Sequence, residues 1–114
     1  MISELDDVVP RPILVMTRIA VEPGDMPELL EIAEDSAPIL ARQPGFVGGE
    51  IYKSADDTCL ISLLRWRHEA DHLAYLHGPD FAEVGSRLRP LLDSGRARLE
   101  VHTLVRLGTI EPAP

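Results

Sequence analysis

The segment 65–81, RWRHEADHLAYLHGPDF, holds the side chains of this sequence that are best suited to chemistry. It contains the only tryptophan, Trp66, and three of the four histidines, His68, His72 and His77. An imidazole titrates near neutral pH and suits proton transfer, and an indole N–H donates a hydrogen bond. The segment is therefore a candidate rim of a reactive pocket. The alternative is that it is an ordinary helix start.

His68 and His72 are four residues apart, so on a helix they would share one face and could hold a divalent metal with a third ligand. The sequence offers no clear third ligand, and we expect no metal site. His72 is the histidine we expect to face a pocket, whereas His68 starts a helix and His77 is partly solvated. Cys59 is the only cysteine, so it forms no intrachain disulfide, and we expect it to pack in a strand.

Several classes of function are excluded by composition and motifs. The chain has 114 residues, enough for one domain, and its net charge of −8 with scattered basic residues argues against nucleic acid. No apolar run approaches the roughly 20 residues that cross a bilayer, and the acidic start MISELDDVVP is unlike a secretory signal. We expect a cytoplasmic protein that binds no membrane. Nucleotide and flavin motifs are absent, so no cofactor is expected.

The elements that must position these residues begin with a strand over Ile13–Val21, where β-branched residues dominate. A helix follows the PGD turn, with Asp25 and Glu28 as a capping box. Pro38 removes a backbone donor inside that helix and predicts a kink or a break near Ala37.

Further along the chain, two runs, 46–54 and 58–66, are joined by a short polar link and predict a β-hairpin. Gly48 and Gly49 predict a bulge in its first strand or a close approach by another group. A short helix from Glu69 to about Leu76, a helix from Asp80 and a last strand over 96–107 complete the chain. We assign residues 1–12 to a lead-in, 13–108 to the domain and 109–114 to a tail.

This order, strand, helix, strand, strand, helix, strand, predicts the ferredoxin-like βαββαβ plan, an α+β fold with a four-stranded antiparallel sheet. Strand alternation places Ser62 and Trp66 on the same face of the second hairpin strand, together with Leu60 and Leu64. The opposite face of that strand is also apolar. One layer of helices covers only one face, so we expect a homodimer whose sheets meet.

The combination of QPGF before a strand, a strand ending in tryptophan, and EA near the start of the next helix resembles the antibiotic biosynthesis monooxygenase family. This family belongs to the dimeric α+β barrel superfamily, and the similarity spans about residues 13–107. The hairpin region, YKSADDTCLISLLRWRHEADH, is most similar to the actinorhodin-type branch. The resemblance implies a cofactor-free monooxygenase that oxidises anthrone-like or hydroquinone-like polyketides to quinones with O2.

The resemblance also implies a set of site residues. The tryptophan of that branch falls on Trp66, its asparagine on Ser62, its helix tyrosine on His72, and an arginine near Arg87. We expect Trp66 and Ser62 to orient the substrate, His72 to act as base, and Arg87 to pair with the substrate anion. Substrate contacts are expected from four further residues, Tyr52, Leu60, Leu64 and Tyr75.

Other functions remain open within the same fold. The haem-degrading branch fits less well, because its functional positions fall on Thr17, Tyr75 and Gly85. A polyketide cyclase would need the same pocket but no O2. A non-catalytic dimeric ligand-binding or stress-related protein would use these residues only to shape a cavity.

Overall fold

The computed structural model describes residues 12–114, which contain four strands and three α-helices. In chain order these are β1 (Ile13–Val21), α1 (Met26–Ala41), β2 (Phe46–Lys53), β3 (Cys59–Trp66), α2 (Glu69–Leu76), α3 (Pro79–Asp93) and β4 (Ala97–Leu104), with a 3-10 turn at Pro23–Asp25. The strands form one antiparallel sheet in the order β2-β3-β1-β4. The predicted ferredoxin-like α+β fold is confirmed. Of the predicted lead-in, residues 1–11 lie outside the described residues.

The central strand β1 organises the sheet, because it pairs with β3 on one side and with β4 on the other. Its β-branched residues suit a strand that is buried by neighbours on both edges. Alternate residues Val15, Ile19 and Val21 are buried on the face that carries the helices. The same register fixes which residues of β3 and β4 share that face.

Helix α1 starts differently from the prediction. Asp25 has φ −94° and ψ −8°, not the extended backbone usual for a capping residue, and its side chain makes no cap bond. Its carboxylate instead accepts a hydrogen bond from Arg96 at 2.6 Å, and Arg96 also donates to Glu28 at 2.9 Å. The predicted capping box is therefore wrong, because a cation just before β4 attracts both acids.

Of the kink or break predicted near Ala37, the break does not occur, because α1 runs unbroken through Pro38. A proline removes one hydrogen bond and crowds the preceding turn, at a cost of about 3 kcal/mol. Four buried residues, Met26, Leu29, Ile32 and Leu40, lie on both sides of this point in the helix. Their burial offsets that cost, since fully burying one such side chain contributes about 1.5–3 kcal/mol.

The hairpin contains the predicted bulge. The register between β2 and β3 shifts between Phe46 and Gly48, and Gly48 has a φ of +143° that favours glycine. At Gly49, a side chain would collide with the carbonyl oxygen of Leu63. Strand β4 ends at Leu104, three residues before the predicted end, because the pairing with β1 stops at Leu14.

Two clusters of buried residues form the core on the helical face of the sheet. The larger one joins β1, β3, α1 and α3 and includes Ile19, Leu29 and Leu60. The smaller one includes Val15 and Trp66, with Leu40 and Tyr75. No helix in the described part of the chain is long and apolar enough to span a membrane.

Candidate functional site

A cavity of about 420 Å³ lies between the sheet and the helices and contacts both core clusters. Its floor comes from all four strands and its roof from α1, α2 and α3. Cavities of this size bind small molecules, usually with mostly apolar walls and a few placed polar groups. This cavity has that character.

The polar side chains on the cavity wall carry hydroxyls, an indole N–H and an imidazole. They are Thr17, Ser36, Ser62, Trp66, His72 and Tyr75. Among residues 12–114, no Lys, Arg, Asp or Glu lines the cavity. A buried charge without a partner is costly, so such a wall favours a neutral, largely apolar ligand.

Trp66 ends β3 and is completely buried. Its ring contacts those of Phe46 (centroids 5.3 Å apart), His72 (5.5 Å) and Tyr75 (5.5 Å, stacked). Its Nε1–H is buried and has no hydrogen-bond partner within the described part of the chain. A buried unpaired donor costs free energy, so an oxygen that accepted from this N–H would gain a strong hydrogen bond.

His72 lies in α2, with its imidazole next to the indole of Trp66. Burial lowers the pKa of His72 below its usual 6.5, and the Glu69 carboxylate opposes this shift only in part. The imidazole is therefore mainly neutral at pH 7. A neutral imidazole has a nitrogen that accepts a proton, as a base must.

Tyr75 follows His72 by three residues and so lies on the same face of α2. It stacks on Trp66 and contacts Phe81 edge to face at 5.3 Å. Burial raises the pKa of Tyr75, and the charge of Asp80 raises it further. The phenol stays protonated at neutral pH and is available as a donor.

Ser62 and Thr17 are direct partners across β3 and β1, and both line the cavity. Leu60 and Leu64, on the same face of β3, line it as well. Residue patterns alone did not single out Thr17, which entered only as a position of the haem-degrading branch. Alternation along β1 places Thr17 with Val15, but its position beside Ser62 depends on the strand register.

Two predicted site residues do not reach the cavity. Tyr52 pairs with Ile61 on the opposite face of the sheet and is half exposed, because alternation turns its neighbour Ile51 inward instead. Arg87 lies on the outer surface of α3 and donates to Asp35 of α1 at 2.7 Å. This geometry gives neither residue a contact with a ligand in the cavity.

His68 and His77 flank α2 at its two caps and are exposed. No group of three or more His, Cys, Asp or Glu residues within 12–114 could hold a metal ion. Cys59 is buried at the start of β3.

The sequence model of the antibiotic biosynthesis monooxygenase family matches residues 12–85, more than half of the chain. The chain belongs to the antibiotic biosynthesis monooxygenase family. The match covers β1 to the middle of α3, so Thr17, Ser62, Trp66, His72 and Tyr75 all lie within the family region.

Solved structures show the same fold. SnoaB from Streptomyces nogalater, described as a cofactor-independent oxygenase, superimposes with a TM-score of 0.75 at 20% identity, covering 90% of this chain and 99% of SnoaB. Rv0793 from Mycobacterium tuberculosis superimposes with a TM-score of 0.71 at 18% identity, covering 90% of this chain and 99% of Rv0793. A conserved protein from Methanosarcina mazei Go1 superimposes with a TM-score of 0.65 at 16% identity, covering 82% of this chain and 92% of that protein. No curated protein matched this sequence.

Proposed function

We propose that this family member is a cofactor-independent monooxygenase that oxidises an electron-rich polyketide-like aromatic, an anthrone, phenol or hydroquinone, to a quinone with O2. The observation that carries the proposal is the buried, unpaired Nε1–H of Trp66 beside His72, in a cavity whose wall has no Lys, Arg, Asp or Glu within residues 12–114. A neutral substrate with a carbonyl or phenol oxygen would satisfy that donor. The name of SnoaB, a cofactor-independent oxygenase, agrees with this chemistry.

The reaction can be written for an anthrone with His72 as the base. His72 takes a proton from the substrate, and the resulting anion transfers one electron to O2, which gives a substrate radical and superoxide. The two combine in a carbon–oxygen bond, and the peroxide anion takes the proton back from His72. Loss of water from the hydroperoxide, with the remaining C–H hydrogen, leaves the new carbonyl. One oxygen atom enters the quinone and the other leaves as water.

The cavity would assist the anion more than the neutral substrate. The Nε1–H of Trp66 would donate to the oxygen on which negative charge develops, and the hydroxyls of Ser62 and Thr17 would orient the ring system. Apolar walls exclude water, so each hydrogen bond to the anion is stronger than it would be in solution.

Oxygen uptake by the purified, metal-stripped protein tests the proposal. With an anthrone, we expect uptake above the spontaneous rate, one O2 per quinone, and one atom from ¹⁸O2 in the product. A reduced naphthoquinol already carries both oxygens of its quinone, so its oxidation should consume O2 and release H2O2 without placing ¹⁸O in the quinone. Absence of uptake with several such substrates would contradict an oxygenase. Ring closure of a poly-β-ketone without O2 would then identify a cyclase, and binding without a product would identify a ligand-binding protein.

We also propose that two chains pair through the sheet face that points away from the helices. Its central residues, Met16 and Leu63, are apolar, are register partners and are only partly exposed. Sedimentation should give twice the chain mass of 12.6 kDa. Leu63→Glu would place a charge in the centre of this interface and should return the mass to that of one chain. A wild-type protein that sediments as a single chain would contradict the dimer.

Arg87 should have little effect on turnover, in contrast to the cavity residues. Its ion pair with Asp35 is partly exposed, and such pairs contribute about 0–1 kcal/mol to the stability of the fold. Because Arg87 does not line the cavity, we expect Arg87→Gln to change kcat/KM by less than about fivefold, a factor that corresponds to about 1 kcal/mol. A loss as large as that of a Trp66 variant would show that Arg87 reaches the substrate during the reaction.

A further inference from the structure

One row of four side chains crosses the whole width of the cavity floor. Ile51 of β2 pairs with Ser62 of β3, Ser62 pairs with Thr17 of β1, and Thr17 pairs with Val101 of β4. All four line the cavity. The two central residues carry hydroxyls and the two outer ones are apolar. Because neighbouring strands lie about 4.8 Å apart, the row is roughly 14 Å long.

The cavity is closed along the strands and open across them. Along the strands, the floor is bounded by buried residues at each end, Leu60 at 5% exposure and Trp66 at 0%. Across the strands, the row ends at side chains that contact both the cavity and solvent, Ile51 at 43% exposure and Val101 at 51%. A long, flat ligand therefore fits across the strands better than along them.

We propose that Ile51 and Val101 determine the length of the substrate. The substrate lies across the strands, with its central ring over the hydroxyls of Thr17 and Ser62 and its outer rings on Val101 and Ile51. One long edge then faces the end of the cavity that Trp66 closes. The row matches three linearly fused rings. This inference rests on the proposed function for the kind of substrate, and adds its orientation and the two residues that limit its size.

Ligand binding can be measured without turnover, because Trp66 is the only tryptophan and lines the cavity. Quenching of its fluorescence reports occupancy by 1,8-dihydroxyanthraquinone, with three rings, and by 5-hydroxy-1,4-naphthoquinone, with two. In Val101→Phe a larger side chain occupies one end of the row. We expect Kd for the three-ring ligand to rise by about tenfold or more, with the two-ring Kd unchanged. Ile51→Phe should act in the same way at the other end.

Val47→Phe is the matched control. Val47 is also a half-exposed valine on an edge strand, at 52% exposure, but it does not line the cavity. This variant should bind both ligands as the wild type does. Equal effects on the two ligands, or no effect, in both row variants would overturn the length rule.

The same experiment separates this inference from the proposed function. Ring-length discrimination in a wild-type protein that consumes no O2 would support the floor row and contradict the oxygenase. Oxygen consumption by the wild type, with no change of ring preference in the variants, would support the oxygenase and contradict the role of the floor row. Failure of the wild type to bind either ligand would overturn the length rule, and oxygen uptake would still decide the proposed function.

Discussion

Trp66→Phe is expected to reduce the rate of oxygen consumption about 100-fold or more, the loss typical of removing one preorganised donor to a developing oxyanion. Phenylalanine keeps an aromatic ring between Phe46 and Tyr75 but has no N–H. Because the indole N–H has no partner within the described part of the chain, its removal leaves no other group unpaired. The rate should therefore fall while the fold persists.

The measurement is kcat for an anthrone in an oxygen electrode, with thermal unfolding followed in parallel. Phe46→Leu is the control, because Phe46 makes a T-shaped contact with Trp66 and its truncation also removes volume from this cluster. It should lower the unfolding temperature and largely keep kcat. If Phe46→Leu loses as much rate as Trp66→Phe, the effect comes from packing and the donor role is wrong.

His72→Gln is expected to lower kcat by about 100-fold or more, since a positioned general base contributes about 10²–10⁴-fold. The wild-type rate should also depend on pH. Burial lowers the pKa of His72, so the neutral base is present above this lowered pKa, and the rate falls as pH falls through it. The acid limb should lie below pH 6.5, the usual value for histidine, and should be absent from the residual rate of His72→Gln.

The same group links stability to pH. An imidazole with a lowered pKa is harder to protonate in the folded chain than in the unfolded one, so the unfolded chain binds more protons between the two pKa values. The folded state therefore loses stability as pH falls from the unfolded pKa to the folded one, and His72→Gln should lose less. His77→Gln serves as control, because His77 is exposed at the end of α2. An identical acid limb in wild type and His72→Gln would assign the titration to another group.

Much of the fold could be predicted from local patterns. The β-branched residues indicated β1, the short polar link indicated the hairpin, and the pair of glycines marked the bulge at Gly48. Two predictions failed where a local rule met a distant partner. The acid expected to cap α1, Asp25, bonds to Arg96, which is 71 positions away. Pro38 does not break a helix whose face is buried on the sheet.

The candidate site divides in the same way. The sequence by itself determined that Leu60, Ser62, Leu64 and Trp66 share one strand face, because successive side chains of a strand alternate. It also marked the histidine-bearing helix that follows. These inferences depend only on neighbours along the chain.

Only the tertiary structure decided which residues from other elements join them. Thr17 meets Ser62 and Val101 through strand register, which a single residue of slippage would reverse. Arg87 is turned outward to Asp35 because α3 packs beside α1. The free indole N–H of Trp66 is likewise a tertiary property, since it depends on every group that could have approached it. The sequence of a strand therefore determines which side chains share a face, and tertiary packing determines which groups of other elements those side chains contact.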